Sequence, residues 1–343
     1  MPSVRGDKGH SLMQSRLTRR STIALALGAA LGSRGGGISA QADTPDWIVA
    51  PIGWPNRIPG EGFQIGHGFA CENTWFSAGW WHTGEDWYSS QGDSSGASVY
   101  AVAAGNVVYA DFNYPGRVVI IEHESDLYSM YGHLDPESLT IKTGQTVTAG
   151  RQLGVLLKQA PVEGPGQAPS HLHFEMRTFL THDDVNGATP QHGVNCGFQC
   201  PPGPGYWPIS ASKHPAEIGW RNPTHGRLAQ LAEERPDDLR LVVNPAFEDG
   251  VISLFVRPDE ASRITGEIDL NDDSQVALLD LRAADPNSTE TSAEAYDAWF
   301  RVRVGDDRAG WVRAAIASDR ETGSDGRPSA VDVPFLIVTA SDT

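Results

Sequence analysis

The chain has 343 residues, with 26 Lys and Arg against 43 Asp and Glu, and 39% apolar residues that include ten Trp. That composition is globular rather than disordered, and the length is sufficient for two domains. The formal charge of −17 argues against nucleic acid or another polyanion as partner, because the mean field of the protein repels it.

Residues 1–42 have the layout of an export signal. Arg5, Lys8, Arg16, Arg19 and Arg20 precede an apolar run at 23–31. That run is well short of the roughly 20 residues a transmembrane helix needs and suits a signal-peptide core. Ala40-Gln41-Ala42 follows as an A-x-A cleavage site that leaves Asp43 first. Thr18-Arg19-Arg20-Ser21 resembles the twin-arginine signal, although Thr22 and Ala24 stand where that signal has a large apolar residue and a lysine. Ordinary secretion, or a lipid-anchored or uncleaved form, is the alternative. Cleavage would leave 20 basic and 42 acidic residues, a formal charge of −22, and no transmembrane anchor is expected after it. The destination is the periplasm, cell wall or extracellular space. An oxidising compartment predicts one disulfide among Cys71, Cys196 and Cys200. Cys196 with Cys200 is the simplest pair, and Cys71 with either is the alternative.

Short apolar runs at 99–103, 106–111, 117–122, 127–131 and 153–157, broken by Gly, Pro and polar turns, predict an antiparallel, mostly β domain. Residues 228–234 and 292–296 can each form a turn or two of helix. The Gly- and Pro-rich stretches 158–170 and 181–222 predict long loops, either walls of a substrate groove or tolerated insertions. After the charged stretch 233–240, short strands at 251–257, 275–281, 298–304 and 310–315 predict a second, small β-domain. A further edge strand at 331–338 has no assigned place.

His82-Thr83-Gly84-Glu85-Asp86 and His171-Leu172-His173 together offer a His/Asp/His set suited to one zinc ion. Imidazole and carboxylate bind zinc well, and three protein ligands leave the fourth tetrahedral position for a catalytic water. In a strand, His171, His173 and Glu175 share one face while Leu172 and Phe174 enter the core. His82 and Asp86 also share a face if extended, and Gly84 and Thr83 disfavour a helix there. Tyr131-Gly132-His133-Leu134 ends a predicted strand with another histidine. Glu175 reads either as a group orienting a ligand histidine or as a surface salt bridge. Tyr131 and Trp87 line the groove or sit in the core. His123 reads as structural, and His67, His182, His192, His214 and His225 have no motif to recommend them.

These residues resemble the LytM and lysostaphin-like zinc endopeptidases, which cut peptide cross-links of bacterial peptidoglycan. The likeness runs from about residue 81 to 177. It takes in H-x-x-x-D, the run Val99-Tyr100-Ala101-Val102-Ala103-Ala104-Gly105-Asn106-Val107-Val108, the Tyr-Gly-His-Leu unit, and His171-Leu172-His173-Phe174-Glu175. Asn222-Pro223-Thr224 resembles the family's domain end. The resemblance implies His82, Asp86 and His173 as ligands of one zinc ion, and His133 and His171 as catalytic imidazoles. One of these two would accept the proton of a metal-activated water and the other would hold the oxyanion, with the assignment open. The chain departs from the family where 158–170 replaces a short Gly-rich turn.

Val256-Arg257-Pro258, Ile264-Thr265-Gly266-Glu267-Ile268, Trp299-Phe300-Arg301-Val302 and Gly310-Trp311-Val312 resemble, in order, the signatures of bacterial SH3-like barrels. Such barrels bind cell-wall peptides, and a spacer or packing role is the alternative. The expected organisation is an export signal (1–42), an antiparallel β metallopeptidase domain with long loops (43–235), an SH3-like β-barrel (245–318) and a tail (319–343). The expected function is an exported zinc endopeptidase acting on peptidoglycan peptides. The alternatives are an inactive wall-binding regulator of other cell-wall hydrolases, or a secreted protease for Gly-rich proteins.

Overall fold

The computed structural model describes residues 47–72, 74, 77–112, 116–159, 170–180, 205–234, 239–247, 250–271, 276–289, 296–305, 307–318 and 330–339. The expectations for the export signal, for Cys196 and Cys200, and for most of the turn at 292–296 lie outside these residues, as do most of 158–170 and of 181–204.

The fold is mainly β and antiparallel, as the short apolar runs predict. In the first part of the chain come β1 (Ile52–Gly53), β2 (Phe63–His67), β3 (Trp80–His82), β4 (Glu85–Ser89), β5 (Ser98–Tyr100), β6 (Gly105–Phe112) and β7 (Arg117–Glu122). They are followed by β8 (Tyr128–Leu134), β9 (Thr146–Val147), β10 (Gln152–Val155), β11 (Leu172–Arg177), β12 (Tyr206–Pro208), a short helix α1 (Pro215–Ile218), β13 (Trp220–Arg221) and α2 (Pro223–Glu234). After these come β14 (Leu239–Val243), β15 (Val251–Phe255), β16 (Ile264–Asp269), β17 (Val276–Ala283), β18 (Ala298–Val304), β19 (Arg308–Arg313), β20 (Ile316–Ala317), β21 (Val331–Asp332) and β22 (Phe335–Thr339). Among the described residues no helix is long and apolar enough to cross a membrane.

The main sheet runs β20-β21-β2-β4-β11-β8-β7-β6-β9, with β13 added to the end of β11. β11 lies at its centre, and all six of its residues are buried. Alternation explains how. Leu172, Phe174 and Met176 enter the large core with Trp87, Val119 and Tyr131, while His173, Glu175 and Arg177 occupy the opposite face. That second face would be wet in an open antiparallel sheet. Here it is covered by residues 205–222, whose Trp207 and Trp220 pack with Phe69 and Phe179. Burying one such ring stabilises by roughly 2–3 kcal/mol, so the described part of the expected long loop is a fixed cover carrying β12, α1 and β13.

α2 is also longer than the expected turn or two. The Asn222 side chain accepts the His225 N–H at 3.1 Å and Pro223 opens the helix, a favourable cap and first residue. Together they offset the poor helix formers Thr224, His225 and Gly226.

A second sheet runs β16-β15-β19-β18-β17-β14-β22 over a core of Leu241, Leu254, Phe300, Val302 and Val312. The run 331–338 forms two strands, because Val333-Pro334 interrupts it and Pro has no N–H to give a ladder. β21 pairs with β2 of the main sheet and β22 with β14 of the second. Asn244 ties the sheets together further. Its Oδ1 accepts the Gly62 N–H at 2.9 Å, and its Nδ2 donates to the carbonyls of Phe63 at 2.9 Å and Val333 at 3.1 Å.

Candidate metal centre

The H-x-x-x-D segment is not one continuous strand. β3 ends at His82 and β4 begins at Glu85, with a bend at Thr83-Gly84 between them. Gly84 allows the bend, since a Cβ there would lie 2.3 Å from the Phe174 carbonyl oxygen. β4 then pairs with β11 so that Asp86 stands directly opposite His173, where cross-strand side chains meet. The bend returns His82 to the same point.

Three donor atoms converge there in a buried triangle. His82 Nε2 lies 2.9 Å from His173 Nδ1 and 3.1 Å from Asp86 Oδ1, and His173 Nδ1 lies 3.0 Å from the same carboxylate oxygen. The other ring nitrogens explain this orientation. His82 Nδ1 is 3.1 Å from the Gly68 carbonyl, an acceptor only, so that nitrogen carries the proton. His173 Nε2 is 3.0 Å from Glu175 Oε1, and donates to it. In their neutral forms both imidazoles therefore turn lone pairs into the triangle, beside a carboxylate oxygen. Three lone pairs at such distances need a cation or a shared proton between them.

The electrostatics are consistent with that competition. Burial pushes the His82 imidazolium down to about 4, against the pull of Asp86. Burial opposes charge on His173 too, but its hydrogen bonds to Asp86 and Glu175 prevail and raise it to about 9. Asp86 is held well below the usual carboxylate range, since His82 and His171 outweigh its burial. Glu175 is buried as well, yet Arg177, His173 and Thr83 bring it down to about 2. It is therefore an ionised anchor. Thr83 Oγ1 donates to it at 2.6 Å, Arg177 Nη1 at 2.7 Å and Trp220 Nε1 at 3.1 Å. A group of this kind fixes a ligand histidine's tautomer and ring angle, and the surface alternative for Glu175 does not hold.

His171 and His133 border the triangle. His171 Nε2 is 3.6 Å from Asp86 Oδ1, and the His133 ring meets the His171 ring edge-on with centroids 4.6 Å apart. His133 has φ of 65°, a left-handed conformation uncommon outside Gly and one that recurs at functional sites. The Tyr88 ring stacks on His171 at 4.8 Å. The backbone of Gly66 lies beneath Tyr88, where a Cβ would come within 2.4 Å of its ring.

The site includes residues that no motif marks. His67, on β2 opposite Asp86, places its ring 4.8 Å from that of His82. Tyr206, opposite His82 in the β12–β3 ribbon, lies 5.6 Å from the same ring. Gly205, with φ of 91°, passes so close to His173 that a Cβ would lie 2.3 Å from its Cε1 and Nε2. Pairing register alone brings these in. Tyr131 and Trp87 are core residues, and His123 is structural, bonded to the Ala104 carbonyl at 2.8 Å and to the Ser129 hydroxyl at 2.7 Å.

Part of the chain is similar to three known proteins. Over 86 residues, 24% of this chain, it is 34% identical to murein hydrolase activator NlpD of Escherichia coli (strain K12), covering 21% of that protein. Over 82 residues, 24% of this chain, it is 34% identical to peptidoglycan DD-endopeptidase ShyB of Vibrio cholerae, covering 18% of that protein. The chain thus matches only about a fifth of the length of these two. With lipoprotein NlpD of Yersinia enterocolitica the identity is 33% over 86 residues, 24% of this chain and 80% of that protein. Among solved structures, the catalytic domain of lysostaphin from Staphylococcus simulans is 23% identical, with 33% of this chain and 79% of that chain covered and a TM-score of 0.26. Residues 81–187 match Peptidase family M23, and with four-fifths of the Yersinia lipoprotein matched the chain belongs to that family.

Proposed function

We propose that the protein is an exported, zinc-dependent endopeptidase that hydrolyses peptide bonds of bacterial peptidoglycan. The observation that carries this reading is the triangle of His82 Nε2, Asp86 Oδ1 and His173 Nδ1, with both imidazole tautomers set by outer partners. Tetrahedral zinc holds its donors at about 2.0–2.1 Å, which puts them roughly 3.3 Å from one another. The observed 2.9–3.1 Å fits a slightly contracted form of that arrangement, and two imidazoles with a carboxylate suit zinc's donor preference. When bound, zinc would polarise the scissile carbonyl and acidify a water molecule.

His133 and His171 handle the proton and the developing charge. One takes the proton of the attacking water and returns it to the leaving amine, while the other donates an N–H to the oxyanion. Tyr88 keeps the His171 ring from turning. Export is supported by the pattern of residues 1–42 and by kinship to proteins named as lipoproteins. The reading of 43–235 as the metallopeptidase part, 245–318 as an SH3-like module and 319–343 as a tail belongs to the same proposal. A module that binds the wall would raise the enzyme's effective concentration on an insoluble substrate.

Digestion of purified wall sacculi by the chain and by His82→Ala tests this, with mass spectrometry of the released fragments naming the bond cut. Fragments from the wild type alone support the proposal, and equal inertness with zinc bound in the wild type refutes it. Kinship to a protein named as a murein hydrolase activator favours a second reading, a regulator of another wall hydrolase. That reading requires fragments to appear only when a second hydrolase is added. A protease for Gly-rich proteins would cut such a protein in preference to wall material.

A further inference from the structure

Tyr296 is separated from Glu85 by 211 residues and lies just before β18 of the second sheet, yet its ring is buried in the core of the main sheet. Its hydroxyl stands between two groups of the metal-bearing segment. It accepts the Phe69 N–H at 2.9 Å and donates to Glu85 Oε1 at 3.1 Å. The direction follows from the chemistry: an amide N–H can only donate, and a carboxylate receives the phenolic proton.

Each of those groups is one step from a metal-site residue. The Phe69 N–H and the Gly68 carbonyl are the two edges of a single planar peptide unit. Tyr296 holds one edge and His82 Nδ1–H binds the other, at 3.1 Å. Rotating that plane would break both bonds, so the tyrosine hydroxyl and the His82 tautomer are coupled through a rigid body. The next residue, Ala70, has φ of 55°, and its N–H donates to the His82 carbonyl at 2.8 Å. Glu85, on the other side, immediately precedes Asp86. Its carboxylate also receives the Thr224 N–H at 3.0 Å and Trp87 Nε1–H at 3.1 Å, with Arg227 Nη2 at 3.6 Å.

We propose that Tyr296 is a positioning residue for the metal site. Its hydroxyl fixes the Gly68–Phe69 peptide and Glu85, and through them holds His82 and Asp86 in register to receive the ion. The C-terminal half is then part of the frame of the metal centre, whatever else it binds. The inference rests on the zinc site proposed above.

The test uses the full chain, with zinc affinity measured by competition against a chromogenic chelator. The absorption spectrum of the cobalt(II) form and the melting temperature of the metal-free protein are recorded alongside. Tyr296→Phe removes only the hydroxyl, which acts one group further out than a direct partner of a metal ligand, whose loss costs about 10–100-fold. It should weaken zinc binding by up to about 10-fold and should alter the cobalt spectrum. Asn244→Ala cuts a different tie between the sheets, at Gly62 and Phe63. It should lower the melting temperature while leaving affinity and spectrum at wild-type values. Glu85→Gln keeps the shape and weakens the same hydroxyl's anchor. It should move affinity in the direction of Tyr296→Phe, and it replaces that variant should the latter fail to fold. Wild-type affinity and spectrum in Tyr296→Phe would overturn the inference, and so would an equal loss of affinity in Asn244→Ala. Absence of zinc binding in the wild type would instead remove the zinc site itself, and the inference with it.

Discussion

His82 Nε2 faces His173 Nδ1 at 2.9 Å because each ring has its other nitrogen committed, one to the Gly68 carbonyl and one to Glu175. Orientation at this site is therefore decided one layer out from the donors. Glu175→Gln keeps the volume but removes the charge that makes His173 a strong donor and that pairs with buried Arg177. Zinc affinity should fall about 10–100-fold, measured by chelator competition. Stability should fall too, since the buried ion pair between Glu175 and Arg177 is broken.

Separating the ligands from the catalytic imidazoles gives a second prediction. His82→Ala removes a donor and should abolish stoichiometric zinc as well as turnover. His133→Ala and His171→Ala leave the three donors in place. They should retain one zinc per chain while lowering kcat about 10²–10⁴-fold, the range for loss of a general acid or base. Metal analysis beside wall digestion reads both quantities, and loss of zinc from the His171 variant would move that residue into the ligand set.

Gly205 offers a third. Gly205→Ala must adopt a left-handed φ and also place a methyl 2.3 Å from the His173 ring. The φ alone costs about 1–2 kcal/mol, and the contact forces His173 to shift. Gly92 has a similar φ of 76° with nothing within 4 Å of its virtual Cβ, so Gly92→Ala carries only the backbone cost. Both variants should melt earlier than wild type, but only Gly205→Ala should lose zinc affinity.

The two motifs were readable in the chain because strand periodicity puts alternate residues on one face, and β11 does so with His173 and Glu175, with His171 immediately before it. The bend at Thr83-Gly84 was not readable. It depends on a close approach to the Phe174 carbonyl, a contact between strands far apart in sequence. For the same reason His67, Tyr88, Tyr206 and Gly205 carry no local signal, since each reaches the site through pairing register or cover. Residues 205–222 look like a loop by their Gly and Pro content. Trp207 and Trp220 anchor them only because the polar face of β11 needs covering. Tyr296 is the extreme case, joined to the site through the contact between two sheets.

His225 sits in α2, fully buried, with neither ring nitrogen hydrogen-bonded among the described residues. Burial lowers its imidazolium from 6.5 to about 4, against the nearby charges of Asp297 and Asp285. The folded state therefore keeps this ring neutral in a range where the unfolded chain takes up a proton. Above pH 6.5 neither state is protonated there and the histidine carries no pH-linked penalty. As pH falls from 6.5 towards 4 the unfolded state gains a proton that the folded state refuses, and stability declines. Below about pH 4 both states bind it and the loss levels off. Each tenfold difference in proton affinity between the two states is about 1.4 kcal/mol, so the whole loss is about 3 kcal/mol. His225→Leu should flatten the stability profile between pH 6.5 and 4 by that amount. Denaturant unfolding of both metal-free proteins across this range measures it, and parallel profiles for the two would show that the acid sensitivity arises elsewhere.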